Sequence, residues 1–275
     1  MNLTINLLAL IIFYLFLIKP NTNKKRKEKM KSFEKVYLTH RGLFNNVDIP
    51  ENSIKAFIQT VKNGYGTELD VQLTKDNILV VFHDESLLRM CGINKKLREC
   101  TYNELQTYNL LNTKEKIPLF KDVLDILKED TPLIIEIKPE GDFLKTTDET
   151  IKLIKTYKRN YIIESFNPSV VKHLKDNYPE IIRGQLAYNM LKDPKAKGNC
   201  FIKFALTNLL LNFITRPDFV AYDINNMNNL SFILCSKLFK SECVAWTLKS
   251  QDNLTKAKKY YKQFIFDSFI PKDNL

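Results

Sequence analysis

Apolar residues along this chain follow two rhythms. Short, nearly continuous apolar runs occupy residues 36–39, 67–73, 133–138, 161–166, 181–186, 219–224, 243–248 and 264–269. Between them lie stretches with apolar side chains three and four apart, such as Ala56, Phe57, Thr60 and Val61, or Val123, Leu124 and Leu127. The first pattern predicts strands buried on both faces of a parallel sheet, and the second predicts amphipathic helices packed against it. Eight such alternations joined by right-handed crossovers predict an α/β fold, a (β/α)8 TIM barrel closed on itself. Two stretches exceed the rhythm. Residues 76–118 carry one further apolar run, 78–83, and then a polar, turn-rich segment; they read as an insertion after the second strand, with His83 on a loop excursion instead of a ninth wall strand. Residues 191–217 contain two greasy runs, 201–206 and 209–214, which suit either a buried barrel helix or an interfacial helix resting on a membrane.

The N-terminus departs from both rhythms. Residues 3–18 are apolar except for Thr4 and Asn6, and as a helix the stretch from Met1 spans ~27 Å, enough for a thin bilayer. No basic residue precedes it and no small-residue cleavage site follows, which favours an uncleaved transmembrane anchor over a signal peptide. Seven basic residues, Lys19, Lys24, Lys25, Arg26, Lys27, Lys29 and Lys31, follow against the single acidic Glu28. The positive-inside rule keeps such a flank, and the domain beyond it, in the cytoplasm. The expected plan is a single-pass anchor over 1–18, a basic juxtamembrane linker over 19–34 and a barrel domain over 35–275. At 275 residues the chain has room for one such domain.

Charge adds one inference. The formal net charge is +11, but the segment beyond the apolar run accounts for much of it, and no basic-aromatic platform or nucleic-acid motif accompanies it. The excess reads as attraction to anionic lipid, not to nucleic acid. Five cysteines, odd in number and without paired ligand spacing, read as free thiols in a reducing compartment.

The candidate chemistry lies at the ends of the strand-like runs. His40-Arg41-Gly42 closes the first, and Pro50-Glu51-Asn52-Ser53 follows it. Glu68 and Asp70 stand in the second, Val80-Val81-Phe82-His83-Asp84 comes from the insertion, and Glu136 and Lys138 end the run at 133–138. A strand turns residues i and i+2 to one face, so Glu68 and Asp70 can grip one hard cation, with Glu136 as a third carboxylate. Oxygen ligands without thiol or imidazole select Mg²⁺ or Ca²⁺. Arg41 offers a guanidinium fork for phosphate oxygens, and Lys138 adds charge or holds Glu136. His40 and His83, titrating near neutrality, suit general acid and base roles. Glu51 either touches substrate or starts and caps the helix that follows it. In a parallel barrel such groups converge on the C-terminal mouth, where they make a site for a phosphate ester.

The motifs HRG, PENS, ELDVQLTKD, VVFHD and EIKPE, in this order between about residues 36 and 271, resemble those of the glycerophosphodiester phosphodiesterase family. The resemblance implies the TIM barrel, the small insertion that brings His83 to the mouth, and hydrolysis of glycerophosphodiesters to sn-glycerol 3-phosphate and an alcohol, with a neighbouring glycerol hydroxyl acting first to give a cyclic phosphate. It also implies that Trp246 is an aromatic of the barrel floor, packed under the glycerol or filling the core. A lysophospholipase D-like activity on acylated lysophospholipids is the alternative that the greasy 191–217 segment raises. An idle membrane-bound head-group binder is a third reading, opposed by the presence of every motif residue. The ending at 264–269 departs from the family's glycine-rich pattern and keeps only Asp267, which leaves the last wall of the pocket open.

Overall fold

A computed structural model describes residues 3–34 and 36–272. Met1, Asn2, Lys35 and residues 273–275, which the expected anchor and domain ranges include, lie outside the described residues. Strands β1 (Leu38–His40), β2 (Gly66–Leu73), β4 (Leu133–Ile137), β5 (Tyr161–Ser165), β6 (Arg183–Ala187), β7 (Phe219–Asp223), β8 (Glu242–Leu248) and β9 (Gln263–Phe266) follow one another in parallel, and β1 pairs with both β2 and β9. The sheet therefore closes into the eight-stranded barrel that the apolar runs predict. Strand β3 (Leu79–Val81) pairs antiparallel to the upper end of β2, outside that ring, so His83 does sit on an excursion.

The two-residue period of the strands sorts their side chains. Leu69, Val71, Leu133, Ile135, Ile137 and Ile163 point outward and pack against the surrounding helices. Leu38, Ile134, Ile162, Ile182, Val244 and Ile265 fill the interior. Gly184 belongs to the inward set: a Cβ there would stand 2.1 Å from the Phe219 ring, so the glycine makes room for the largest side chain of that layer. Above the apolar layer the inward positions become polar, and this change creates the mouth.

The expected linker over 19–34 is instead part of the barrel. Residues Lys24–Met30 form a helix capped by Asn23, and Lys31–Phe33 add a 3-10 turn. Met30 and Phe33 are fully buried among the interior residues and plug the N-terminal end of the barrel. Arg26 binds both oxygens of buried Asp218, Nε to Oδ1 and Nη2 to Oδ2, at 2.5 Å each. A basic residue thus serves a fixed ion pair, not a lipid surface.

The expected transmembrane span finds no support: no helix among the described residues is long and apolar enough to cross a membrane. The helix Leu3–Ile18 has 16 residues, about 24 Å at ~1.5 Å per residue, and its C-terminal end docks on the barrel. Ile18 is buried, its carbonyl accepts from Asn212 Nδ2 at 2.9 Å, Tyr14 meets Ser231 at 2.7 Å, and the Phe16 ring lies 5.7 Å from that of Phe213. The 191–217 segment divides into helices Cys200–Thr207 and Asn212–Thr215. The buried reading fails for the first of these, since Phe201 is 80 % exposed and Phe204 52 %.

Candidate active site

The period that fills the interior also builds the site. In register across adjacent strands, His40 of β1 stands beside Glu68 of β2, and Asp70 of β2 beside Glu136 of β4, which stands beside Glu164 of β5. Glu68, Asp70 and Glu136 each present an oxygen within 4.8 Å of the others, and all three are buried. Lys138 Nζ forms ion pairs at 2.8 Å with Glu136 Oε1 and 3.3 Å with Asp70 Oδ1, and neither oxygen has a further hydrogen-bond partner among the described residues. Arg41 Nε lies 3.3 Å from Asp70 Oδ2. Asn52 Nδ2 donates to the same oxygen at 2.8 Å.

The backbone at the end of β1 is shaped for this. Arg41 and Gly42 both take positive φ, 57° and 81°, and a Cβ on Gly42 would come within 2.7 Å of the Ala56 Cβ. Only glycine allows the chain to turn so tightly against the first barrel helix.

Each histidine leans on a carboxylate. His40 Nδ1 is 2.9 Å from Asp267 Oδ2, and His83 Nδ1 is 2.6 Å from Asp84 Oδ1. With the carboxylates ionised, Nδ1–H donates and Nε2 is left as the basic nitrogen. Arg89 binds Asp84 with Nε at 2.6 Å and Glu51 with Nη2 at 2.7 Å, and Glu51 accepts from Arg41 Nη1 at 2.7 Å. A chain of alternating charge, Arg41, Glu51, Arg89, Asp84, His83, therefore joins the barrel mouth to the insertion. Glu51 is spent on the two arginines and does not line the cavity.

Electrostatics separate these groups. Burial, and then the Arg41 charge, lower the His40 pKa. Burial and the Lys138 charge bring His83 down to about 4. Both rings are thus neutral near pH 7. Burial pushes Glu136 up to about 7 against the pull of Lys138, and burial with neighbouring carboxylates raises Glu68 and Glu164 well above the usual range. Asp70 moves the other way: burial would raise it, but Lys138, His83 and Arg41 hold it below its ordinary value. So many buried carboxylates share too little positive charge, and a divalent cation fits that deficit. Three hard oxygen donors, two of them (Asp70 Oδ1 and Glu136 Oε1) without a hydrogen-bond partner among the described residues, suit such an ion.

A cavity of about 1430 Å³ opens here, lined by His40, Arg41, Glu68, His83, Glu136, Lys138 and Trp246 among others. Every expected site residue except Glu51 and the underlying Asp70 reaches it. Arg89, Asp84, Asp267, Asn52 and Glu164 join the site without having been singled out for it. Glu164 had a signal, a charge in the middle of the apolar run Ile162-Ile163-Glu164. Arg89 had none.

A (β/α)8 barrel with histidine, arginine, lysine and clustered carboxylates at the C-terminal mouth defines a phosphodiester hydrolase. The sequence model of the Glycerophosphoryl diester phosphodiesterase family matches residues 40–270, and the chain belongs to that family. It is similar to glycerophosphodiester phosphodiesterase 1 of Bos taurus, at 25 % identity over 94 % of this chain and 85 % of the relative. It is also 34 % identical to a glycerophosphodiester phosphodiesterase of Caldanaerobacter subterraneus over 57 % of this chain and 68 % of the relative. The crystal structure of a glycerophosphodiester phosphodiesterase from Thermotoga maritima superposes with a TM-score of 0.65 at 25 % identity, covering 85 % of this chain and 94 % of that one. An Oleispira antarctica phosphodiesterase in complex with sn-glycerol 3-phosphate shares the fold, with a TM-score of 0.68 at 19 % identity over 86 % of this chain and 95 % of that one. The protein is an enzyme of this class, a phosphodiesterase acting on glycerophosphodiesters.

Proposed function

We propose that the enzyme hydrolyses glycerophosphodiesters to sn-glycerol 3-phosphate and an alcohol by metal-dependent acid-base catalysis through His40 and His83. The observation that carries this is the pair of carboxylate-braced histidines, His40–Asp267 and His83–Asp84, around one carboxylate cluster. Glu68, Asp70 and Glu136 would hold Mg²⁺ or Ca²⁺, which when bound neutralises phosphoryl oxygens. Arg41, oriented by Glu51, binds the phosphoryl group and meets the charge that grows in the transition state. Lys138 stays protonated, since Glu136 and Asp70 outweigh its burial, and adds a second fixed cation. A neutral histidine takes the proton of the attacking glycerol hydroxyl at Nε2, becomes an imidazolium beside its own carboxylate and returns a proton to the departing alkoxide, and water then opens the resulting cyclic phosphate to sn-glycerol 3-phosphate. Release of sn-glycerol 3-phosphate agrees with the ligand in the Oleispira antarctica structure.

A second reading, hydrolysis of acylated lysophospholipids, is favoured by the apolar wall of the cavity at Met190, Ile202, Leu206 and Leu211. A relative named lysophospholipase D GDPD1 from Homo sapiens is 31 % identical over 56 % of this chain and 51 % of its own length. Exposed Phe201 and Phe204 on the helix that supplies Ile202 and Leu206 would set that wall against anionic lipid. We propose, on its free thiols, that the domain lies in the cytoplasm; protease added outside intact cells should leave it whole. Turnover of deacylated diesters and of their lysolipid counterparts, with and without chelator, tests both readings. Full activity in excess chelator would refute the metal-dependent scheme, and no turnover of either set would refute the hydrolase.

A further inference from the structure

The apolar helix Leu3–Ile18 meets the barrel at one end only, and its contacts fix its direction. The helix Leu230–Lys237 follows β7, so it starts at the mouth and runs back toward the barrel floor. Tyr14 meets Ser231 of that helix at 2.7 Å, and the Ile18 carbonyl accepts from Cys235 Sγ at 3.3 Å, one turn further down. The two helices therefore run side by side in the same direction. Residues 3–13 lie ahead of this contact and continue past the rim for ~16 Å at ~1.5 Å per residue. Every one of them is exposed, and only Thr4 and Asn6 are polar. Behind them the chain is docked without a break: Arg216 Nη1 donates to the Lys19 carbonyl at 2.9 Å, the Asn21 amide donates to the Pro217 carbonyl at 2.8 Å, and Arg26 holds Asp218. No free tether separates the projecting helix from the catalytic domain, so whatever takes up residues 3–13 also fixes where the mouth points.

The neighbouring sector of the rim has the same character. The helix Cys200–Thr207 lies along the mouth: Ile202 and Leu206 line the cavity, and Asn208 Oδ1, at its end, accepts at 3.1 Å from Asn229, the residue that caps Leu230–Lys237. Phe201 and Phe204 face solvent beside exposed Lys192 and Lys195, and Arg98 and Lys249 stand exposed elsewhere on the rim. None of these four cations is ion-paired among the described residues. Of the rim acids, Glu85 is taken by Lys96 and Lys197, and Asp193 by the Tyr188 hydroxyl.

We propose that the barrel mouth faces an anionic lipid bilayer, with residues 3–13 entering its apolar layer end-on, Phe201 and Phe204 at its interface and the free rim cations against its phosphates. A protein partner buries one stripe of a helix, whereas this one is apolar on every side, which suits lipid. Unpaired cations bordering exposed rings complement a negatively charged membrane surface. The reach of ~16 Å is about half of a ~30 Å hydrocarbon layer, so one leaflet accommodates it and no crossing is involved. The pose goes beyond the choice of substrate and deepens the acylated reading: a lipid-borne diester lifts only its phosphate to the carboxylate cluster, while its chain stays against Ile202 and Leu206.

The test uses the full-length protein with its divalent metal and vesicles of phosphatidylcholine with phosphatidylglycerol. Cys200, the exposed thiol at the start of the rim helix, reports the mouth without any variant, and Lys158→Cys, on the exposed turn before β5, reports the opposite end. The protein should float with the vesicles, less so at high salt. In the bound protein a water-soluble maleimide should modify Cys200 about tenfold more slowly than in solution, and Lys158→Cys at a rate changed less than about twofold. Lipids brominated along their chains should quench a fluorophore on Cys200 and spare one on Lys158→Cys. No flotation, or self-association that leaves the vesicles bare, would overturn the lipid partner. Flotation with Cys200 as reactive as in solution, or with Lys158→Cys protected, would overturn the orientation. Turnover is not read, so a failure here is separate from a failure of the hydrolase reading.

Discussion

Replacing Asp267 by asparagine removes one charge and almost no volume from the back of His40. The carboxylate is buried and lies 2.9 Å from Nδ1 of His40, which is itself only partly exposed, so the bond is charge-assisted and largely shielded from water. Such a bond is worth ~1.5–3 kcal/mol, which corresponds to roughly a 10- to 150-fold loss in kcat/KM if its strength is felt mainly when His40 is an imidazolium. The pKa moves in a definite direction. Burial and Arg41 lower the His40 value, and Asp267 is the main influence raising it; without that charge it falls further. A base is active when neutral, so the acidic limb assigned to His40 should shift to lower pH while the plateau drops. Asparagine can also present its amide to Nδ1 and impose the wrong tautomer, which deepens the loss without moving the limb. The assay is a pH–rate profile of kcat/KM on a small glycerophosphodiester with metal saturating. Activity within twofold of wild type, or an unmoved acidic limb, would refute a working His40–Asp267 pair.

Other consequences can be checked separately. His83→Ala should lower kcat by ~10² to 10⁴ with the far-ultraviolet spectrum unchanged; retention of a tenth of the activity would remove His83 from the chemistry. Arg89→Ala, which touches neither cluster nor cavity, should weaken activity through Asp84 and Glu51, and a variant as active as wild type would show the charge chain to be idle. Glu136 is raised from 4.5 to about 7, so the metal-free fold binds more protons than the unfolded chain between those values; its contribution to stability is intact below about pH 4.5 and is lost as pH rises toward 7. Thermal melts in chelator should fall over that window and recover with Mg²⁺ or Ca²⁺, and a metal-insensitive melting temperature at pH 8 would contradict the cation site. Met30→Ala should cost ~2–5 kcal/mol in chemical denaturation, against less than about 0.5 kcal/mol for a polar substitution at exposed Leu10; equal effects would mean that the barrel floor does not need its plug.

The barrel was legible because parallel strands buried on both faces leave runs that few other structures share, and each of the eight expected runs overlaps a wall strand. The insertion was legible for the opposite reason, since its polar, turn-rich stretch could not continue the repeat. Where local pattern misled, a long-range contact decided. Lys24 to Lys31 looks like a solvated basic flank until Asp218, nearly 200 residues on, takes Arg26. The apolar run at 3–18 carries the composition of an anchor, yet its end is docked by Asn212 and Ser231. The greasy 201–206 run is half exposed, which no periodicity could reveal, because what covers a helix depends on where its neighbours stop.

Local covalent geometry was enough to put Glu68 with Asp70, and Glu136 with Lys138, on shared faces, because the alternation of a strand is a property of the backbone alone. The same alternation places Glu164 with Phe166, although nothing in the sequence says what faces them. Barrel closure supplies that answer. It brings Asp267 to His40 across 227 residues, carries Arg89 of the insertion back to Glu51, and sets Trp246 against Phe166 and Tyr188. These pairings depend on which strands become neighbours and how the ring is staggered, quantities set by the packing of the whole interior. Residue types and their faces were therefore written in the sequence, while their partners, and with them the histidine orientations and the polarity of the cavity, were decided only when the eighth wall strand met the first.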